Sequence, residues 1–143
     1  MQVKFVKLSP DAKLPDYAHP TDSGMDLYAS EDIIVPAREY RLVPTGIAVI
    51  LPPNTEGQVR SKSGLALKYG LQVLNSPGTI DTNYRGEIGV ILNNVSNSDY
   101  QVTKGQKIAQ LVVCPFYTCD IIETTTLDDT DRSSGGFGST GIK

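Results

Sequence analysis

The stretch at residues 33–60, IIVPAREYRLVPTGIAVILPPNTEGQVR, decides the fold class because short β-branched runs alternate in it with prolines and turn residues. The runs at 33–35, 40–43, 46–51 and 57–60 each have the length of a β-strand. Prolines lie between these runs, where a missing backbone N–H does least harm to a sheet. The stretch therefore predicts four consecutive strands.

The rest of the chain repeats this pattern and lacks long helical periodicity. Close and regular spacing of such runs is typical of an all-β barrel or sandwich. One short helix is predicted at 63–69, with Ser63 as its N-cap and Gly70 as its stop. Outside the opening stretch, we predict strands at 3–7, 26–29, 71–74, 87–93, 107–114 and 120–124.

The chain has 143 residues, which is enough for one domain with its own core. Its composition changes after about residue 126, where Asp, Ser and Gly become frequent. We therefore predict one β domain at 1–125 and a C-terminal arm at 126–143.

Charge and hydropathy exclude several classes of function. The formal net charge is −3 and no basic run is present, which argues against a nucleic-acid-binding surface. No apolar run approaches the ~20 residues of a membrane span, and the first residues lack the apolar stretch of a secretion signal. We expect a soluble protein that binds neither nucleic acid nor membranes. Its expected location is cytoplasmic, or nuclear or host-intracellular in a eukaryote or virus.

Two cysteines and one histidine offer little for nucleophilic or metal chemistry. Cys114 and Cys119 lie in an apolar stretch, and no second Cys/His pair is present to complete a zinc site. We expect both to be buried core thiols. His19 precedes Pro20 in polar sequence, so we expect it in a surface loop rather than in a catalytic site.

Two segments have the composition of anion sites. Residues 132–141, RSSGGFGSTG, combine glycines that let backbone N–H groups approach an anion with the charge of Arg132 and the apolar ring of Phe137. Residues 60–66, RSKSGLA, place Ser63 at the start of the predicted helix, where N–H groups are free. The alternatives are a disordered Gly/Ser-rich tail and a capped helix with solvated basic neighbours.

Residues 75–86, NSPGTIDTNYRG, form a turn-rich segment between two apolar strands, which predicts a β-hairpin. The exposed backbone of a hairpin can bind the edge of a base, Asp81 can accept a proton from water, and the Tyr84 ring can pack against a sugar. Alternatively, Asp81 only caps a turn. Taken alone, the acidic segment at 20–28 indicates a turn, and Gln110 in an apolar strand indicates ordinary alternation.

In this order, five segments resemble the motifs of the trimeric dUTPase family, the deoxyuridine triphosphate nucleotidohydrolases. They are DSGMDL at 22–27, KSGLA at 62–66, GTIDTNYRG at 78–86, GQKIAQ at 105–110 and RSSGGFG at 132–138. The resemblance covers essentially the whole chain. It implies an all-β jelly roll of the β-clip type with one short helix and a mobile C-terminal arm. It also implies a homotrimer with swapped arms and active sites at the subunit interfaces.

The resemblance further implies hydrolysis of dUTP to dUMP and pyrophosphate, which removes dUTP and supplies dUMP for thymidylate synthesis. Asp81 matches the catalytic aspartate that activates water for attack on the α-phosphate, and Asp26 matches an acidic position that organises the site. Mg²⁺ is the implied cofactor, held by substrate phosphates and water with no direct protein ligand.

The binding residues are carried over from the same motifs. Those matching uracil and deoxyribose contacts are Asn75, Gly78, Ile80, Tyr84 and Phe137, and those matching phosphate contacts are Lys62, Ser63, Gly64, Gln110, Arg132, Gly138, Ser139 and Thr140. Three positions depart from the family pattern: Lys62 replaces the usual arginine, Ser133 a glycine and Ser23 an alanine. Because lysine lacks the planar fork of a guanidinium, we expect an altered contact at position 62.

Two other functions are compatible with parts of this pattern. A dCTP deaminase shares the fold but needs a glutamate beside the amino group of the base, and Glu87 is the only glutamate near the third motif. A non-catalytic trimeric jelly-roll module would keep the shell, but the intact Asp81 argues against it.

Overall fold

The computed structural model describes residues 1–142 and is built almost entirely from antiparallel strands. It confirms the predicted all-β class with one short helix, and the arrangement is that of a jelly roll. The elements described are β1 (Lys4–Lys7), β2 (Met25–Tyr28), β3 (Ile33–Val35), β4 (Tyr40–Pro44), β5 (Ile47–Ile50), β6 (Thr55–Arg60), α1 (Ser63–Tyr69), β7 (Leu71–Val73), β8 (Gly78–Ile80), β9 (Gly89–Asn94), β10 (Tyr100–Val102) and β11 (Lys107–Pro115).

The strands form four small sheets. The largest has the order β2-β11-β6-β8, the next has the order β4-β9-β7, and two strand pairs, β1-β5 and β3-β10, complete the set. In the largest sheet, Gln110 of β11 pairs with Asp26 of β2 on one side and with Arg60 of β6 on the other. This register places three polar side chains in one row across the sheet.

The core lies between the sheets, and β6, β7, β8 and β9 turn alternate residues toward it. β6 shows this alternation over its whole length, because its buried residues recur at every second position. Each fully buried aliphatic side chain contributes about 1.5–3 kcal/mol, so a continuous cluster of them holds the sheets together. The largest of these side chains are Leu27, Ile47, Leu71, Ile88, Leu92, Ile108 and Leu111.

Helix α1 has the predicted bounds, but its N-cap lies one residue earlier than predicted. Lys62 is the N-cap, with an extended backbone at φ −90° and ψ 124°, and its side chain makes no capping hydrogen bond. The prediction of Ser63 as the cap is therefore wrong, because Ser63 is already helical. The predicted stop is confirmed: Gly70 has a left-handed backbone at φ 66°, and its N–H donates to the carbonyl of Ala66 at 3.0 Å.

The predicted strand at 120–124 is wrong, since β11 is the last strand and ends at Pro115. Ile121 and Ile122 are exposed. Their β-branched side chains favour extended backbone, but a strand also needs a neighbour for its backbone hydrogen bonds, and none lies beside them in residues 1–142. Two short strands, β8 and β10, were not predicted, because each is a three-residue run among turn residues.

The cysteines and the histidine lie near the surface. Cys114 is half-buried and Cys119 is exposed, so the prediction of buried core thiols is wrong. Cys119 follows the last strand, beyond the reach of the core. His19 is exposed in a loop, as predicted. Within residues 1–142, no helix has the length and apolar character needed to cross a membrane.

Candidate active site

The segment at 75–88 connects two strands of one sheet and contributes a strand to another. β7 and β9 pair antiparallel, with Val73 opposite Leu92, so the flanking strands form the predicted hairpin. Within the connection, β8 pairs with β6 through Thr79 and Gln58. The connection is therefore held by two sheets, and the outer edge of β8 is the edge of the largest sheet.

Asp81 and Tyr84 lie in one cavity of about 150 Å³ at the end of β8. The Tyr84 N–H donates to the Asp81 carbonyl at 3.0 Å, which closes the turn between them. Both side chains are exposed, and Tyr84 retains 45% of its accessible surface. The other lining residues are Thr79, Ile80, Glu87, Ile88 and Gly89.

A smaller cavity of about 70 Å³ adjoins the first. It contains Asn75, Gly78 and Ile80, three of the residues expected to contact uracil. A Cβ placed on Gly78 would lie 3.3 Å from Nδ2 of Asn75 and 3.2 Å from Cβ of Val59. A side chain at position 78 would thus crowd this cavity, which explains glycine there.

Glu87 makes two hydrogen bonds, one with the Tyr84 hydroxyl and one with Gly46. The Tyr84 hydroxyl donates to the backbone carbonyl of Glu87 at 3.0 Å. The Glu87 carboxylate oxygen Oε1 accepts from the N–H of Gly46 at 2.7 Å. The sequence indicated Glu87 only as a candidate acid or base, and its contact with Gly46 was not predictable from their separation of 41 residues.

A second cluster surrounds Asp26, whose side chain is only 6% exposed. Lys62 Nζ forms an ion pair with Asp26 Oδ1, and Lys107 Nζ lies 2.6 Å from Oδ2. Burial opposes ionisation of Asp26, but the hydrogen bonds and charges of Lys107 and Lys62 outweigh it and hold its pKa below the usual range. In turn, the hydrogen bond to Asp26 raises the pKa of Lys107.

Tyr28 extends this cluster toward the surface. Its hydroxyl donates to Asp16 Oδ1 at 2.5 Å, and the backbone N–H of Asp26 donates to the Asp16 carbonyl at 2.8 Å. Burial first, and the hydrogen bond to Asp16 second, raise the pKa of Tyr28 to about 12. Sequence analysis identified Asp26 but missed Lys107 and Tyr28, which stand opposite each other in the β2–β11 register.

The helix-start segment presents an open surface. Ser63 and Gly64 are exposed, and a Cβ on Gly64 would meet no atom within 4 Å. Gln110 is half-buried beside Gly24, where an added Cβ would lie 3.0 Å from the Gln110 amide oxygen. These residues belong to the Asp26 side of the largest sheet.

The register separates this side from Asp81. Ile80 of β8 pairs with Gly57 of β6, and Gly57 pairs with Val113 of β11. Asp81 is the residue after Ile80, so it lies level with Cys114, the residue after Val113. Gln110 is four residues from that level and two strands away, which corresponds to about 13 Å along the strands and about 10 Å across them. One chain therefore does not bring the two clusters together.

The arm carries four of the expected phosphate contacts and Phe137, and none of them lies at either cluster. Phe137 is fully exposed. Arg132 Nε donates to the carbonyl of Gly135 at 2.9 Å, and the Ser139 N–H donates to that of Gly136 at 3.0 Å. The hydrogen bonds found for residues 126–142 join these residues only to one another and to Thr124.

Comparison with known proteins gives a consistent result over the full length. The family model described as dUTPase matches residues 10–141. A deoxyuridine 5'-triphosphate nucleotidohydrolase from Gloeothece citriformis is 56% identical over 142 residues, which are 99% of this chain and 98% of the relative.

Solved structures agree with the sequence comparison. The Staphylococcus bacteriophage 80alpha dUTPase with dUpNHpp superposes with a TM-score of 0.92 at 26% identity, covering 99% of each chain. A mutant dUTPase from phage phi11 of S. aureus, whose structure reveals the coordination of a structural Mg(II) ion, superposes with a TM-score of 0.81 at 25% identity. That match covers 88% of this chain and 98% of the phage chain.

Proposed function

The chain belongs to the dUTPase family and is a dUTP diphosphatase, and on this premise we propose how its residues hydrolyse dUTP to dUMP and pyrophosphate. The observation that carries the proposal is the cavity shared by Asp81 and Tyr84 at the end of β8. It places a proton acceptor next to a ring on which a sugar can lie.

Asp81 acts as the general base. Its exposed side chain lines the cavity. The carboxylate takes a proton from a water molecule as the water oxygen bonds to the α-phosphorus. The bond from that phosphorus to the pyrophosphate oxygen breaks on the opposite side, as in-line displacement requires.

The nucleoside lies along the outer edge of β8. Because β8 is an edge strand, its outer backbone groups are available to bond the edge of uracil. Asn75, Gly78 and Ile80 line the small cavity beside this edge. Tyr84 supports the deoxyribose, and Phe137 of the arm covers the base when the arm closes.

The phosphates bind residues from other copies of the chain. The phosphate contacts expected on the body lie near Asp26, at the part of the largest sheet that is distant from Asp81. They are Lys62, Ser63, Gly64 and Gln110. A homotrimer with active sites at its subunit interfaces joins the two sets, and the arm completes the site with Arg132, Gly138, Ser139 and Thr140. This assembly also gives an overall acidic chain a local concentration of cationic groups.

The residues present fit a Mg²⁺ ion bound through the substrate. Asp26 is the buried carboxylate of the site, and the ammonium groups of Lys62 and Lys107 on its two oxygens disfavour a cation there as well. Substrate phosphates and water are the ligands that Mg²⁺ accepts readily. An ion bound in this way would neutralise charge on the leaving pyrophosphate. Asp26 organises the site by holding both lysines.

We assign the reaction a role in nucleotide metabolism. It removes dUTP, and its product dUMP is available for thymidylate synthesis. A dCTP deaminase of the same fold is disfavoured because the Glu87 carboxylate is already engaged by Gly46. Assays with dCTP and dUTP separate these functions, since a deaminase releases ammonia and a diphosphatase releases pyrophosphate.

Substitution of Asp81 by Asn tests the proposal. Asn keeps the shape but does not accept the proton, so we expect kcat to fall about a thousandfold. Binding of the non-hydrolysable dUpNHpp should persist, which isothermal titration measures alongside pyrophosphate release. Asp11→Asn is the matched control, because Asp11 is an exposed carboxylate paired only with Lys104 on the surface. Unchanged hydrolysis in the Asp81 variant would remove this residue from the mechanism.

A further inference from the structure

Glu87 lines the same cavity as Asp81 and Tyr84, yet the proposed catalysis gives it no part. It links two regions that are distant in sequence. Its backbone carbonyl accepts the Tyr84 hydroxyl at 3.0 Å, and its carboxylate accepts the Gly46 N–H at 2.7 Å. One residue therefore connects the Tyr84 ring to the turn between β4 and β5.

The Gly46 end of this connection is rigid. Gly46 is buried and has φ +69°, and a Cβ there would lie 2.9 Å from Cβ of Ala12. The neighbouring residues bond to the segment that follows Glu87. Thr45 Oγ1 donates to the carbonyl of Ile88 at 2.5 Å, and the N–H of Ile88 donates to the carbonyl of Ile47 at 2.8 Å. The β4–β5 turn thus provides a fixed support.

At the other end of the connection, the Tyr84 ring lies against the Gly86 backbone. A Cβ on Gly86 would collide with the Tyr84 hydroxyl, so the ring crosses directly over the Gly86 backbone. Tyr84 as a whole remains nearly half exposed to solvent. An exposed tyrosine side chain can change rotamer unless its hydroxyl group is hydrogen-bonded. The carbonyl of Glu87 accepts that hydrogen bond from Tyr84.

We propose that Glu87 is a positioning residue that sets the preference for deoxyribose over ribose. The hydrogen bond between its carboxylate and the Gly46 N–H fixes the Tyr84 ring so close to the sugar that a 2′-hydroxyl does not fit. Discrimination of one hydroxyl requires the supporting residues to hold the ring within about 0.5 Å. This inference rests on the proposed placement of the sugar against Tyr84.

The test measures pyrophosphate release from dUTP and from UTP. In Glu87→Ala, the acceptor for Gly46 is lost, so we expect the ratio of kcat/KM for dUTP to that for UTP to fall about tenfold. Glu87→Gln retains an oxygen at the same position and should keep the wild-type ratio. Glu31→Ala is the surface control, because Glu31 is exposed in the bend between β2 and β3.

Each other outcome overturns the inference. An unchanged ratio in Glu87→Ala, even with a lower Tm or lower overall activity, shows a structural role alone. A Gln variant as unselective as the Ala variant shows that the acceptor oxygen is not responsible. If the Ala variant does not fold, Glu87→Asp replaces it, because a side chain shorter by one carbon also loses the bond. A wild-type protein without preference for dUTP would instead overturn the proposed sugar site, and this inference with it.

Discussion

The body of the protein, from β1 to β11, and the arm predicted at 126–143 differ in the burial of their apolar side chains. The body contains all the strands described in residues 1–142, and its buried aliphatic side chains form a continuous core. In the arm, Leu127 is 92% exposed and Phe137 and Ile142 are also open to solvent. The body therefore builds its own core, whereas these apolar side chains of the arm stay outside it, as the proposed contact with substrate and other subunits requires.

Removal of residues 132–143 tests this division most severely. The body keeps its core, so the variant should remain folded and trimeric. Turnover of dUTP should fall about a thousandfold, or about 4 kcal/mol in activation free energy, because the variant lacks the four proposed phosphate contacts and the ring of Phe137. Pyrophosphate release and light scattering measure the two results. Turnover close to that of the full chain would show that the arm takes no part in the site.

Matched leucine truncations compare the two regions directly. Leu92 in β9 is 1% exposed, so Leu92→Ala leaves a cavity and should lower the free energy of unfolding by about 3 kcal/mol. The same substitution at Leu127 removes an exposed side chain and should change it by less than about 0.5 kcal/mol. Urea denaturation followed by circular dichroism measures both. Equal losses would mean that the arm is packed as firmly as the body.

Asp26→Asn tests the polar part of the body, with a smaller expected effect. At neutral pH, the substitution leaves Lys62 and Lys107 without their shared counter-charge. Because both lysines are partly exposed, we expect a loss of only about 2 kcal/mol.

The difference in stability between the wild type and Asp26→Asn should depend on pH, which tests the assigned ion pairs separately. The pKa of Asp26 is lowered by folding, so its contribution is complete above the ordinary aspartate range and is lost as the pH falls through the lowered value. The wild type and Asp26→Asn should therefore converge in stability at acid pH. Urea titrations from pH 7 down to the acid limit measure this, and a constant difference would contradict the assigned ion pairs.

The sequence predicted most of the body because burial and turn chemistry act locally. The strands flanking Pro36 and Pro44 follow the predicted limits closely, and the left-handed stop at Gly70 follows from a glycine after an apolar turn. The pairing of Asp81 with Tyr84 in one cavity was also predictable, since both belong to one short motif.

The remaining features depend on partners distant in sequence. Ile121 and Ile122 have strand-forming side chains but no neighbouring strand in the described chain, so propensity alone misled the prediction. The contacts of Glu87 with Gly46 and of Lys107 with Asp26 arise from sheet register, which residue type does not specify. The individual roles of the site residues stay predictions.

The empty space around Gly64 separates two kinds of constraint on the chain. Apart from its chain neighbours and the backbone of its own helix, an alanine methyl at that position would have no atom within 4 Å. Packing within the protomer therefore leaves room for a methyl group at position 64. Any restriction to glycine would be imposed from outside the protomer, so tolerance at this one site reports how closely an incoming molecule approaches the backbone.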